Sequence, residues 1–353
     1  MTETTSGKPL SVLDSRLLAL LRPILPIALA LIIGGIVLAA LGRDPFQFYG
    51  NVIRRTILSP SGLQEVLVLM APLLMLAASL IVCFRAGLWN LGVDGQYLLG
   101  GLFVAAYAPA WVEAIPFGLA MALLFGLAIA VGAVWAMVPA LLRAYEGVNE
   151  IISTLMMTFL ALSTGAFLVK TVLGDPDSPV PQTVLLPVEY RLPRIGDTLI
   201  HIGVIIAFVA VLAVHFTMTR TSFGLKLQIV GHNPRAAEHC GLDVPGLTIA
   251  VFAISAGLAA LGGAIDVFGV RGIVRADWHP AYGLLVVPLV FLARFNGIAV
   301  IAFVAFFAVL TIGGESASRR ADLPHDFLLI LMALILVILA LTDELAARFR
   351  QRA

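Results

Sequence analysis

Phe84-Arg85-Ala86-Gly87-Leu88-Trp89-Asn90-Leu91-Gly92-Val93-Asp94-Gly95-Gln96 separates two apolar runs, each long enough to cross a bilayer. Glycine loosens a helix, and polar side chains away from bulk water need partners, so this string does not read as a lipid-facing helix. Apolar sequence resumes at once with Tyr97-Leu98-Leu99, which puts Asp94 and Gln96 near the start of a new helix, where backbone N–H groups point outward. Two readings stand side by side. One is a broken helix at membrane depth, with Asn90, Asp94 and Gln96 facing a path. The other is a cytoplasmic turn between two spans, favoured by the ~2.5–3.5 kcal/mol that an aspartate costs at mid-membrane. Trp89 fits either a platform that stacks on a base or sugar ring or an aromatic at the membrane interface.

Working outward, composition sets the class. Hydrophobic residues make up 60% and charged residues 12% of the chain. Mean hydropathy is +1.03. A soluble domain carries about 25% charge, so an integral membrane protein is expected. The net charge of +1 gives no case for nucleic-acid binding. Of the two cysteines, Cys83 ends an apolar run and Cys240 lies in a polar loop, so no bridge between them is expected.

With about 20 apolar residues needed per crossing, the fold class reads as an all-α, polytopic transmembrane bundle of about ten spans: 22–41, 63–84, 93–110, 115–139, 150–173, 200–218, 247–266, 281–295, 298–313 and 326–342. The eighth and ninth are short and could form one re-entrant hairpin. Segment 174–199 carries five prolines and reads as an extended, exposed extracytoplasmic loop. No polar segment is long enough for a soluble domain, so 1–353 reads as one membrane domain, with a cytoplasmic N-terminal segment (1–21), a cytoplasmic segment at 219–246 and a cytoplasmic tail (343–353). Lys and Arg divide almost evenly between the two sides. The basic residues at both ends favour cytoplasmic termini.

Further polar groups lie outside the opening stretch. Asn149 can cap the fifth span, and the spacing of Glu150, Ser153 and Thr154 places them on one helix face. They could line a path or simply serve the helix start. In Gly231-His232-Asn233-Pro234-Arg235-Ala236-Ala237-Glu238, Asn233 suits a cap and Pro234 the first helical position. Gly257, Ala259, Ala260, Gly262, Gly263 and Ala264 in the seventh span suit close helix contact. Glu65, His215, Asp266 and Glu315 sit near span ends, where interfacial placement is expected. The histidines show no metal-ligand spacing. The three lysines, Lys8, Lys170 and Lys226, follow no phosphate-loop pattern, so energy from ATP would have to come from a partner. An ion-coupled carrier would need titratable residues in mid-span, and the span centres carry none.

Three motifs carry a resemblance. Trp89-Asn90-Leu91-Gly92-Val93-Asp94-Gly95-Gln96, Asn149-Glu150-Ile151-Ile152-Ser153-Thr154-Leu155-Met156 and Val230-Gly231-His232-Asn233-Pro234-Arg235-Ala236-Ala237-Glu238 resemble, in this order, signatures of bacterial ABC-importer permeases of the branched-chain amino acid/ribose type. The likeness is to the branch that takes up nucleosides and simple sugars. Trp89 and Asp94 stand where that family has Phe and Glu, and Thr158 where it often has Asn. The resemblance implies a non-catalytic subunit of the bacterial inner membrane. Its expected partners are an ABC ATPase that binds the ATP and Mg, a second permease subunit and an extracytoplasmic solute-binding protein. It further implies a solute pathway involving Trp89, Asn90, Asp94, Gln96, Glu150, Ser153 and Thr154. Contact with the ATPase is implied through Gly231, Asn233, Pro234, Arg235 and Glu238. A nucleoside is the expected solute, with pentoses or other simple sugars next.

Overall fold

A computed structural model of the chain describes residues 28–29, 31–279, 281–320, 330–334, 337–338 and 341. The described residues are helical, with no β-strand beyond two isolated bridges. Seven helices are long and apolar enough to cross a membrane: α3 (Pro60–Arg85), α4 (Val93–Ala114), α5 (Phe117–Glu146), α6 (Glu150–Thr171), α7 (Ile202–Arg220), α10 (Val244–Asp266, extended by a turn to Arg271) and α12 (Gly297–Arg320). Shorter α-helices among the described residues include α1 (Leu31–Ala40), α2 (Pro45–Thr56), α8 (Ser222–His232), α9 (Pro234–His239) and α11 (Tyr282–Leu292).

Against the expectation of about ten spans, the described residues hold seven helices of membrane-crossing length. The 298–313 run is longer than expected, because α12 extends to Arg320, and it is no half-hairpin. The 281–295 run is shorter: α11 has 11 residues, about 16 Å of rise, roughly half a bilayer. Most of 326–342, with 1–21 and 343–353, lies outside the described residues.

The chain divides into two compact units. One comprises the chain up to Arg55 and from Gly313, the other Thr56–Ile312. In the first, the Tyr49 hydroxyl donates to the Leu31 carbonyl at 2.9 Å and ties α2 to α1. In the second, α3 is buried without interruption from Met70 to Phe84. A helix apolar on all sides belongs in the centre of a bundle, and α4, α5, α7 and α10 pack against it or one another. Lipid offers no hydrophobic drive for helices to associate, so close backbone approach supplies the attraction. The small residues of α10 serve this role. An added Cβ on Gly100 of α4 would meet the Ala260 backbone, and one on Gly132 of α5 would meet Ala256 and Ala260. Segment 174–199 is irregular, as its prolines require. Three of its amides donate across to the chain after α10: Thr183 to the Val274 carbonyl, Leu186 to that of Gly272, and Leu192 to that of Phe268.

Gly100→Val should force α4 and α10 apart and destabilise the chain by about 1–3 kcal/mol, read as a lower thermal midpoint in detergent. Gly118→Val, at an α5 glycine with open space around it, is the control and should leave the midpoint unchanged.

Candidate functional site

The polar stretch that opened the sequence analysis is a break between α3 and α4, and it lies inside the unit. Asn90, Gln96 and Asp94 are 0%, 1% and 5% exposed. The Asn90 and Gln96 side-chain amides pair face to face, Nδ2 donating to Oε1 at 2.9 Å and Nε2 to Oδ1 at 3.2 Å. Asn90 Nδ2 also donates to Ser255 Oγ at 3.0 Å. Ser79 of α3 donates to the Ser255 carbonyl at 2.7 Å, and the two hydroxyls lie 2.8 Å apart. Ser255 is about 16 Å along α10 from Val244 at 1.5 Å per residue. The break therefore abuts the middle of a membrane-length helix, and the reading of a surface turn is set aside.

Non-helical backbone at that depth survives only if its own polar groups are paired within protein. Two threonines of α6 do this for Leu91. Thr154 Oγ1 accepts from the Leu91 amide at 3.1 Å, and Thr158 Oγ1 donates to the Leu91 carbonyl at 3.1 Å. They are four residues apart, one above the other on a helix face. The Gly92 amide donates to Asn90 Oδ1 at 3.0 Å. Thr158 escaped the sequence reading as a site residue, although its spacing from Thr154 was the available signal. Ser153, expected on the same face, instead bonds carbonyls of its own helix start. Glu150 is 7% exposed and pairs with Arg143 of α5 at 3.3 Å. Asn149 caps α6 as expected, its Oδ1 accepting from the Ile151 amide at 2.9 Å.

Asp94 differs from expectation. Its place near a helix start points to the outward backbone N–H groups there, with the Asn90 and Gln96 amides in the same stretch. Those two amides are occupied with each other, and Asp94 Oδ1 accepts from the Gly283 amide of α11 at 2.6 Å. The carboxylate thus sits in the first turn of α4 and at the N-terminus of α11, where both helix dipoles favour a negative charge. The other end of α11 is held against the end of α3. Arg85 donates to the Phe295 carbonyl at 3.3 Å through both Nε and Nη2. Phe84, Trp89, Phe291 and Phe295 form an aromatic cluster with ring centroids 4.8–5.6 Å apart. Trp89 therefore packs within protein.

The 219–246 segment folds as α8 and α9. Asn233 caps α9, its Oδ1 accepting from the Ala236 amide at 3.1 Å, and Pro234 opens the helix. Asn233, Pro234, Arg235 and Glu238 are exposed. Gly231 belongs to the end of α8 and faces inward. A Cβ built on it would lie 2.9 Å from the Arg85 carbonyl and the Gly87 nitrogen. One on Gly87, whose φ is +69°, would lie 2.9 Å from the Gly231 backbone. Only glycine on both sides permits this contact, which joins the break to the segment carrying α9.

Two clusters of variants test this arrangement. Asp94→Asn keeps an acceptor for Gly283 and should fold. Asp94→Leu leaves that amide unpaired, should cost about 1–3 kcal/mol, and should lower membrane levels. Gly87→Ala combines a left-handed φ with a backbone clash, so it should destabilise the chain more than Gly147→Ala, which has φ +65° but open space. Detergent melting curves compare all four.

The sequence matches the family described as the permease component of branched-chain amino acid transport systems over residues 62–340. It is 34% identical to a glucose ABC transporter permease protein of Haloferax volcanii, across 93% of this chain and 88% of that one. A nucleoside ABC transporter permease of Lactococcus lactis is 26% identical, across 91% and 90%. A guanosine ABC transporter permease of Bacillus subtilis is 25% identical, across 95% and 96%. With seven membrane-length helices among the described residues, the chain is a multi-pass membrane protein and belongs to this family of ABC transporter permease subunits.

Proposed function

We propose that this chain is the membrane subunit of an ABC importer for nucleosides in a bacterial inner membrane. The observation that carries the reading is its match, nearly end to end, with permeases named for nucleosides and guanosine. A second reading, import of a simple sugar, rests on the 34% identity to a glucose permease. In both, the termini are cytoplasmic, residues 174–199 face outside, and solute arrives from a binding protein. A second permease subunit, identical or paralogous, completes the path.

The chain itself catalyses nothing in this reading. ATP and Mg are bound by a partner ATPase, which docks on the exposed α9 through Asn233, Pro234, Arg235 and Glu238. Movement of α8–α9 reaches the break through Gly231 and Gly87. Asn90, Asp94, Gln96, Glu150 and Thr154 then act as the hinge that keeps the broken wall in register beside the pathway, with Trp89 closing its lower side.

Cells carrying the full set of subunits should accumulate labelled uridine or guanosine, and lose uptake when the ATPase is inactivated. Accumulation of glucose without nucleosides selects the second reading, and accumulation of leucine alone rejects both. Arg235→Glu combined with Glu238→Arg should abolish uptake while leaving membrane levels and the melting curve of the chain unchanged. Normal uptake in that variant removes α9 as the docking element.

A further inference from the structure

At the far end of α10 from α8 and α9, the helix leaves α-geometry. Val267–Arg271 forms a π-turn, closed by the Gly272 amide donating to the Val267 carbonyl at 2.8 Å. Such turns occur often at functional sites. On a regular α-helix, residues three and four apart share a face and residues five apart do not. The wider turn brings Arg271 back onto Asp266, five residues earlier, with Nε donating to Oδ2 at 2.8 Å. The buried Tyr97 hydroxyl of α4 donates to the same oxygen at 2.9 Å. The guanidinium carbon lies 5.2 Å from the ring centroid of Trp278, and that ring packs 5.8 Å from Tyr97.

Arg271 lines two cavities. One, of about 320 Å³, is bounded by Glu65, Arg194, Asp266, Arg271 and Tyr282 among apolar residues. The other, of about 530 Å³, includes Trp278, His279 and the Arg275–Asp277 ion pair. Two features set the chemistry of what fits. First, charge balances: the smaller cavity has two acidic and two basic side chains, so it offers no net field to an ion. Second, the Asp266–Arg271 pair uses one oxygen and one nitrogen on itself. The second carboxylate oxygen and the two terminal guanidinium nitrogens remain to accept from and donate to neighbouring hydroxyls. Tyr282 adds aromatic surface to the wall of this smaller cavity, while Trp278 lines the larger one. An acceptor next to a fork of donors, with an aromatic ring in the same wall, suits adjacent hydroxyls on a neutral ring.

We infer that the smaller cavity beside the π-turn is a transit site for an uncharged polyhydroxylated solute, with Asp266 and Arg271 binding its hydroxyls. This rests on the importer reading above and gives its solute a point of contact. It assigns the contact to residues that the motifs do not include.

The test uses the permease assembled with its ATPase in proteoliposomes, without the binding protein. Leu199→Cys places a thiol at the wall of the smaller cavity, in a Cys240→Ala background that by itself serves as the labelling control. Uridine or glucose should slow maleimide labelling of this variant, and uridine monophosphate and leucine should not. In uptake assays with the binding protein, Arg271→Lys and Asp266→Asn should raise KM about tenfold, as expected for losing one charge-assisted hydrogen bond, at unchanged membrane levels. Both should also remove the protection. If the assembly carries uridine or glucose and neither slows labelling, the site is wrong and the importer reading stands. If it carries leucine and neither of the other two, the importer reading fails, and the solute class assigned to the cavity fails with it.

Discussion

A peptide group inside a bilayer has no water to turn to, and this constraint governs the architecture. The stretch from Ala86 to Gly92 leaves helical geometry beside the middle of α10, so each of its amides and carbonyls needs a partner brought by another element. α6 brings two hydroxyls for Leu91, α10 brings Ser255 for Asn90, and α3 closes its own end through the Cys83 and Phe84 carbonyls. An unpaired buried group costs about 1–3 kcal/mol, comparable with any single packing contact in the bundle. The break can exist only where these helices already meet, and its partners fix their relative register.

The same stretch connects parts of the unit that differ in position and in chemistry. Gly87 touches Gly231 backbone to backbone, and Arg85 and Phe84 hold the C-terminal side of α11. Asp94 holds the N-terminal side of α11. α11 is therefore a half-length helix pinned at both ends by residues flanking one break. Two consecutive non-glycine residues at its end, Arg294 and Phe295, have φ of +52° and +57°. Such conformations persist only where surrounding contacts hold them, and the Arg85 bond to the Phe295 carbonyl is one such contact. A displacement at α8 has a short, hard path to α11 through these contacts.

Much of the site was legible before any coordinates. The break was marked by glycines and amides between apolar runs, the capping roles of Asn149 and Asn233 followed from their neighbours, and the small residues of α10 announced close packing. What was missed shares one cause. Thr158, Ser79 and Ser255 sit in apolar helices, where a lone hydroxyl looks like a small residue that satisfies itself on its own helix. Their role appears only when the partner arrives; Ser79 and Ser255 are 176 residues apart. Asp266 read as an interfacial charge because its partner, Arg271, is at a spacing that no regular helix brings together.

The sequence by itself determined that the chain crosses a membrane as helices, where it breaks, which residues cap the ends, and which family it resembles. Those are consequences of local composition and short-range spacing. Tertiary structure alone decided that the break lies within the unit, that Asp94 serves α11, and that α11 is only about half a bilayer long. It also decided that a π-turn places Arg271 on Asp266. Each depends on hydrogen-bond partners supplied across the bundle or on a change of helical register, and a linear pattern records neither.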